Sequence, residues 1–304
     1  DATITPRYFS KRGLQLQGEY RYLDENYSGI SSAEILENDS NASDTRRYLV
    51  KINHQHKLAK GLTGSIRVEK VSDDNYFSDL ESLISVTSQV SLPQELQLNY
   101  ANEDWNVNLI AQKFQNLSTS SPYERLPSIS ASYSNYKEDS LGLSLFETNL
   151  NLSLTQFDRN NDYIGSDNTK GTRFVAKPSI SVPFEKPYGY IIPKISMNLS
   201  SYNLENGSTS SKQFSIPTIS LDSGFLLDRP FKFGDTSFTQ TIEPRAFYTY
   251  TPYRNQSMLP MFDTGLLDLN QNSIFTENQF VGGDRVIDAN QFTLAATTRF
   301  IDDN

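Results

Sequence analysis

The sequence predicts an all-β fold, an antiparallel transmembrane barrel of the outer-membrane type, present here as a partial barrel. Three observations carry this reading. Polar and apolar residues alternate with period two over many short segments. The connections between those segments tend to alternate between short and long. Only 37% of the 304 residues are hydrophobic while 12% are aromatic, with 18 Phe and 17 Tyr. No stretch approaches the ~18 uninterrupted apolar residues that a spanning helix needs. A barrel strand shows only half of its side chains to lipid, which accommodates so polar a composition.

The clearest element is Leu14 to Tyr22, where Leu14, Leu16, Gly18, Tyr20 and Tyr22 alternate with Gln15, Gln17, Glu19 and Arg21. Neighbouring side chains on a strand point to opposite faces, so this segment has one apolar and one polar side. Tyr48, Val50 and Ile52 alternate with Arg47, Leu49, Lys51 and Asn53, Leu49 being the misfit. Leu62, Gly64, Ile66 and Val68 follow, then Leu96, Leu98 and Tyr100, then Trp105, Val107, Leu109 and Ala111. Ile129, Ala131 and Tyr133 share a face, as do Leu141, Leu143 and Leu145. Later segments carry Phe174, Ala176, Ile180, Val182 and Phe184, then Ile191, Ile195, Met197 and Leu199. The series ends with Ile219, Leu221 and Phe225, with Ile242, Ala246, Tyr248 and Tyr250, and with Phe292, Leu294, Ala296 and Phe300. About fourteen strands are expected, most of them long enough to cross a bilayer at a tilt.

From Tyr48 onward, short connections are expected at 59–61, 102–104, 137–140, 185–189 and 229–236. Longer ones fall at 72–88, 115–122, 158–170, 205–213 and 251–290. The region before Tyr48 does not fit this alternation cleanly. Tyr20, Tyr22, Tyr100, Trp105, Tyr133, Tyr136, Tyr188, Tyr190, Tyr248, Tyr250 and Tyr253 cluster near strand ends, where interfacial girdles would place them. Tyr is also simply a good strand residue. Pro6, Pro178, Pro193, Pro217 and Pro244 lie inside strand patterns and lack the donor a ladder requires. Each marks either a bulge that bends a long strand or a place where pairing is weak enough to open.

Chemistry-bearing constellations are sparse. The formal charge is −9, and no basic stripe points to nucleic acid. Cysteine is absent, so the segment holds neither a disulfide framework nor a thiolate metal site. His54 and His56 lie two apart on one face without supporting ligands, so no metal is expected there. Asp158, Asn160 and Asp162 imitate a calcium loop, but Tyr163 stands where Gly is required and Thr169 where the closing Glu belongs. No nucleophile has an evident base, no helix pattern follows Gly282–Arg285 to make a phosphate cradle, and no cofactor is expected. The connection 251–290 holds Arg254, Asp263, Asp268, Asp284 and Arg285. Its charges are either solvated or mutually paired, or the whole loop folds into the barrel. So long a connection favours a functional role. The chain opens at Asp1 in a strand-like pattern and stops at Asn304 just after another, so a signal and further domains are expected outside it.

Several short motifs stand in order along the chain. They are Asp1-Ala-Thr-Ile-Thr5-Pro6-Arg7-Tyr8, Arg46-Arg47-Tyr48-Leu49, and Lys70-Val71-Ser72-Asp73 with Tyr76-Phe77. Thr241-Ile-Glu243-Pro244-Arg245 follows with Tyr250, then Pro252-Tyr253-Arg254-Asn255-Gln256, and finally Gly282-Gly283-Asp284-Arg285 with Ala289-Asn290-Gln291. Together they resemble the lipopolysaccharide-assembly LptD (organic solvent tolerance) family. The resemblance implies the N-terminal half of a large outer-membrane barrel, without its periplasmic domain, spanning residues 1–304. It implies lipopolysaccharide as cargo, a periplasmic bridge that delivers it, an LptE-like plug lipoprotein, the barrel-assembly machinery as a further partner, and no enzymatic activity. It also implies a lateral opening beside early strands weakened by proline, which Pro6 matches. Transport of this kind needs a polar lumen for the hydrated sugar head, because a charged group moved through hydrocarbon loses its hydration. Gln15, Gln17, Glu19, Arg67, Asn106 and Asn108 are candidates for that face. Alternation alone fits a general porin or a structural barrel equally well.

Overall fold

Strands whose apolar positions alternate are expected to pair so that like faces meet, and the computed structural model of the chain has this pairing. It describes residues 1–42, 46–80, 90–118, 122–138, 145–159, 169–205, 211–234 and 236–302. The strands are β1 (Ala2–Phe9), β2 (Gly13–Leu23), β3 (Tyr27–Leu36), β4 (Arg47–Ala59), β5 (Leu62–Val71), β6 (Ser91–Ala101), β7 (Trp105–Asn116), β8 (Glu124–Glu138) and β9 (Leu145–Asp158). They continue as β10 (Gly171–Ser181), β11 (Phe184–Lys186), β12 (Gly189–Leu204), β13 (Ser211–Phe225), β14 (Leu227–Phe233), β15 (Thr236–Thr251), β16 (Gly265–Leu266), β17 (Phe280–Val281) and β18 (Ala289–Asp302). One short helix, α1 (Tyr76–Leu80), lies between β5 and β6. Sixteen strands form one sheet in which consecutive strands pair, with β18 on β15, while β16 and β17 pair separately.

Two of these strands are fragments. The Val182 N–H donates to the Pro193 carbonyl at 3.1 Å, continuing the register in which Phe184 faces Ile191, so β10 and β11 are one strand interrupted at Pro183. Likewise Gly224 faces Arg245 and Leu227 faces Ile242 in an unbroken register, so β13 and β14 are one strand interrupted opposite Pro244. Counted as spans, the sheet has the expected fourteen. The residues 229–236 expected as a connection are instead mostly the β14 end of that span, with the turn at Gly234. Leu141 and Leu143 lie outside the described residues. Strand β3 escaped prediction because Gly29, Ser31 and Ala33 carry no hydrophobic signal.

The chain divides into two compact units, one comprising 1–131, 153–173 and 203–210, the other 132–152, 174–202 and 211–304. In the first, Leu16 faces Ile35, Ile35 faces Tyr48, Ile52 faces Val68, Ile66 faces Leu96 and Leu98 faces Leu109. In the second, Leu221 faces Tyr248, which faces Phe292, and Ala246 faces Leu294. Half of these apolar side chains are exposed and the other half are half-buried; Phe292 and Leu294 reach 63% and 68%. Contiguous exposed apolar rows of this extent belong against lipid or a partner.

The alternation of connections extends to the region that sequence left ambiguous. Residues 10–12, 37–46, 72–90, 117–123, 159–170, 205–210 and 252–288 join strands at one set of ends. The other ends are joined by 24–26, 60–61, 102–104, 139–144, 187–188 and 234–235. The exception is the tight 10–12 turn, which lies among the long connections.

Near the tight-turn ends, Tyr20, Tyr22, Tyr27, His54 and His56 form a chain of ring contacts with centroids 5.4–6.4 Å apart. Tyr22 Oη and His54 Nδ1 share a 2.7 Å hydrogen bond. The Tyr22 ring crosses Gly29, where a Cβ would come within 2.3 Å of Tyr22 Oη and 2.8 Å of the Asn53 carbonyl. Gly18, by contrast, would bring its nearest neighbour only to 4.0 Å. Gly29→Ala should therefore cost roughly 1–3 kcal/mol by overpacking, with Gly18→Ala close to neutral. The temperature at which the folded species converts to the unfolded one on a semi-native gel measures both, and equal shifts would contradict the packing assigned to Tyr22.

Candidate functional site

The polar face is not bare. In the first unit the connection after β5 brings α1 down onto it. Tyr76, Phe77 and Leu80 pack with Leu36, Leu49, Val71 and Leu92, all at most 3% exposed. This explains the misfit at Leu49: it is apolar on the polar side because α1 covers it. Tyr76 Oη donates to Glu34 Oε2 at 2.8 Å, and Gln15 Nε2 donates to Tyr76 Oη at 3.1 Å and to Glu34 at 3.0 Å. The helix thus rests on the row that Gln15 opens.

Beside it Arg47, 1% exposed, holds three carboxylates from two connections. Its Nε and Nη2 form a fork on Asp73 at 2.9 and 2.8 Å, and its Nη1 donates to Asp79 at 2.8 Å and Asp39 at 3.1 Å. Arg12, from the tight 10–12 turn, adds a 2.8 Å bond to Asp39. Burial pushes the Asp39 carboxyl up, but the Asn41 N–H, Arg12 and Arg47 together outweigh it and hold the group below its ordinary value. A carboxylate so depressed stabilises the folded connection above its ordinary pKa, and that contribution is lost as pH falls through the depressed value.

In the second unit the connection 252–288 folds onto the polar face of β12, β13 and β15. Glu277 accepts from Ser220 Oγ at 2.5 Å and Ser196 Oγ at 3.4 Å and pairs with Lys194 at 3.3 Å. Phe275 takes the Arg245 guanidinium on its ring at 4.1 Å, while Arg245 forks onto Asp222 at 3.0 and 2.6 Å. At the centre is Asp284, 1% exposed. It accepts from the N–H groups of Phe262 and Asp263 at 2.7 and 3.1 Å, from Thr264 Oγ1 at 3.2 Å and from Tyr202 Oη at 3.2 Å. Gly283 N donates to Asp263 Oδ1 at 3.1 Å, and Gly282 has φ +78° with the Asp263 carbonyl 2.4 Å from where a Cβ would lie. Arg285 donates to the carbonyls of Leu259, Pro260 and Asp284 at 2.8–3.1 Å. Gly282–Arg285 is therefore the internal clasp of a folded loop.

Strand β1 supplies a third feature. The Asp1 amino group and carbonyl exchange bonds with Arg21, so the hydrogen-bonded positions of β1 toward β2 are the odd-numbered ones. Pro6 faces Leu16 at a non-bonded position, and its missing donor therefore lies on the edge away from β2. The register runs through it without a shift, so Pro6 is not a bulge. Pro244 is not one either, since its registers with β13, β14 and β18 are continuous.

Comparison with known proteins adds a family to this geometry. The sequence profile of LptD, LPS transport system D, matches residues 45–304. The chain belongs to the LptD family. It is 40% identical to proteins named LPS-assembly protein LptD from Thiobacillus denitrificans and Ralstonia nicotianae, over 99% of this chain and 41% and 38% of those proteins. A namesake from Aromatoleum aromaticum is 39% identical over the same 99%, and covers 38% of that relative. The chain thus spans about two fifths of the length of these curated relatives.

The residues that carry the sequence resemblance fall mostly into the two assemblies described above. Arg47, Leu49, Val71, Asp73, Tyr76 and Phe77 meet in the α1 assembly. Arg245, Gly282, Gly283, Asp284 and Arg285 build the second loop and its seat. Glu243 pairs with Arg299 at 3.0 Å on β18, while Tyr253 is 67% exposed and the Arg254 guanidinium, among the described residues, reaches only the Tyr253 carbonyl at 3.4 Å. On β1, Thr5 and Arg7 face the side on which Phe9 meets the α1 core, and Pro6 and Tyr8 face the apolar side. Sequence reasoning missed Asp39, Asp79, Tyr202 and Glu277, each isolated in sequence and meaningful only through the loop that reaches it. Tyr190, expected in a girdle, instead donates to Asp222 at 3.3 Å.

Two substitutions probe these assemblies. Arg47→Leu removes the buried guanidinium that Asp39, Asp73 and Asp79 share, a loss of roughly 3–5 kcal/mol. It should speed hydrogen exchange in 72–80, and lowering the pH through the Asp39 titration should do the same to the native protein. Asp284→Ala strips the Phe262 and Asp263 N–H groups of their acceptor, costing roughly 1–3 kcal/mol for each donor left unpaired. It should expose 252–288 to protease while the strands stay intact; unchanged nicking would contradict the clasp.

Proposed function

We propose that the chain forms part of the wall of an outer-membrane β-barrel that passes lipopolysaccharide to the outer leaflet of a Gram-negative cell envelope. The apolar face meets lipid, the polar face lines the lumen, and the tight turns face the periplasm. Family membership supports the cargo, since the matched relatives are named for assembly of lipopolysaccharide. The observation that carries the mechanism is Pro6. A strand lying on the outer edge of β1 receives no hydrogen bond from residue 6, so that seam holds less tightly than its neighbours. A lateral opening there lets the acyl chains remain in hydrocarbon while the sugar head crosses in water.

The two folded loops occupy polar-face area that an open pore would leave to water, which favours this reading over a general porin. A plug lipoprotein and a periplasmic bridge complete the path, and the barrel-assembly machinery inserts the whole. No step requires a catalytic residue or cofactor. Pro6→Val restores the donor and should tighten the seam. Expected in cells carrying the full-length variant is a several-fold fall in newly surface-exposed lipopolysaccharide at normal protein abundance. Unchanged delivery would remove Pro6 from the opening.

A further inference from the structure

We infer that the exterior wall of the first unit carries a binding site for a bisphosphorylated glycolipid headgroup of the outer leaflet, at the long-loop rim of β5–β10. The inference rests on the outer-membrane reading above. It starts from a cavity of about 450 Å³ whose lining includes Lys70, Gln94, Lys113, Gln115, Asp158 and Lys170. Each lysine ends an apolar row. Lys70 follows Leu62, Ile66 and Val68 on β5, with buried Val71 turned the other way onto α1. Lys113 follows Trp105, Val107, Leu109 and Ala111 on β7 and faces Gln94. From Trp105 to Lys113 is eight residues, about 26 Å along a strand. An outward apolar band is about 25 Å tall, so the aromatic end and the lysine end fall near its two interfaces.

The dent has a structural cause. The β5–β6 ladder ends where Val68 faces Gln94, and beyond it the side-chain amide of Gln115 bonds both the N–H and the carbonyl of Val71 at 2.9 Å. Strand β6 turns away here, with Leu92 buried against α1. Into this recess project the exposed ammonium groups of Lys70 and Lys113, for which no ion pair occurs among the described residues. Lys170 pairs with Asp158, and Arg159 lies over the Tyr123 ring at 3.9 Å. With Glu124 the lining carries four cations against two carboxylates.

An excess of cations above an apolar row matches an anionic lipid rather than a soluble anion, because the chains can lie on the wall below the head. Lys70 and Lys113 stand two strands apart, about 10 Å across the sheet, which is wider than one phosphate spans. Two phosphates at opposite ends of a disaccharide fit that separation. Glycolipid held there would seal the wall against its neighbouring lipids after delivery.

The test uses the full-length protein in phosphatidylcholine nanodiscs containing bisphosphorylated lipid A, its dephosphorylated form, or phosphatidylglycerol. Lipid retained after gentle release is counted by native mass spectrometry. Lys70→Gln with Lys113→Gln should lower retention of the bisphosphorylated form about tenfold. Lys57→Gln, at the tight-turn end, should leave it unchanged. Equal retention by the double variant overturns the site, as does phosphatidylglycerol held as well as lipid A and lost in parallel. Should the double variant not fold, rising salt on the native protein must release the bisphosphorylated lipid selectively; salt-independent retention overturns the proposal. Surface delivery of lipopolysaccharide is scored separately. Native protein that delivers none defeats the transport reading, whereas normal delivery with lysine-independent retention defeats only the rim site.

Discussion

Everything in this fold follows from one constraint: backbone amides placed in hydrocarbon must find their partners within the protein. Antiparallel pairing satisfies them, and pairing fixes the alternation that separates the faces. The apolar rows then need no core of their own, because lipid replaces it. That is why Phe292, Leu294 and Ile195 can stand largely exposed. The true cores are small and lie on the polar side, where loops return to the sheet.

Those returning loops are held differently. Around α1 the anchor is a buried guanidinium among three carboxylates, an arrangement costly to assemble and costly to break. Its merit is positional: Asp39 comes from one connection and Asp73 and Asp79 from another, and one planar guanidinium ties the two together. In the 252–288 loop the centre is a carboxylate surrounded by backbone donors and a tyrosine, with Arg285 satisfying carbonyls close by. Charge serves in both as a joint between segments rather than as surface.

Strand positions were legible wherever alternation was strong, as in β2, β5 and β7, and the number of spans followed from it. Strand β3 was not, because small residues accept either face. The connection pattern was readable from length, yet not the 10–12 turn, whose brevity hides that Arg12 belongs to the long-loop side. Local motifs pointed to Asp284 and Arg47 but could not say what they hold. Their partners lie 22 and 26 residues away in sequence, at Phe262 and Asp73, and no periodicity connects them.

The prolines sharpen what weak pairing means. Bulging was one way to absorb them, and neither Pro6 nor Pro244 uses it. At Pro244 the β18 ladder continues unbroken on one side, while the other side is interrupted between β13 and β14. Two strands still hold β15 along its length, so losing one bond there leaves the wall closed. Leu226 at that gap turns its N–H to the Tyr188 carbonyl at 2.9 Å, so the turn that leads into β12 holds the broken strand from its far side. At Pro6 the ladder to β2 runs on without a break, because that position is non-bonded toward β2 and the missing donor lies on the opposite edge. The same residue type therefore lies opposite a broken strand in one place and beside an unbroken ladder in the other, so a proline inside a strand does not by itself say where pairing fails.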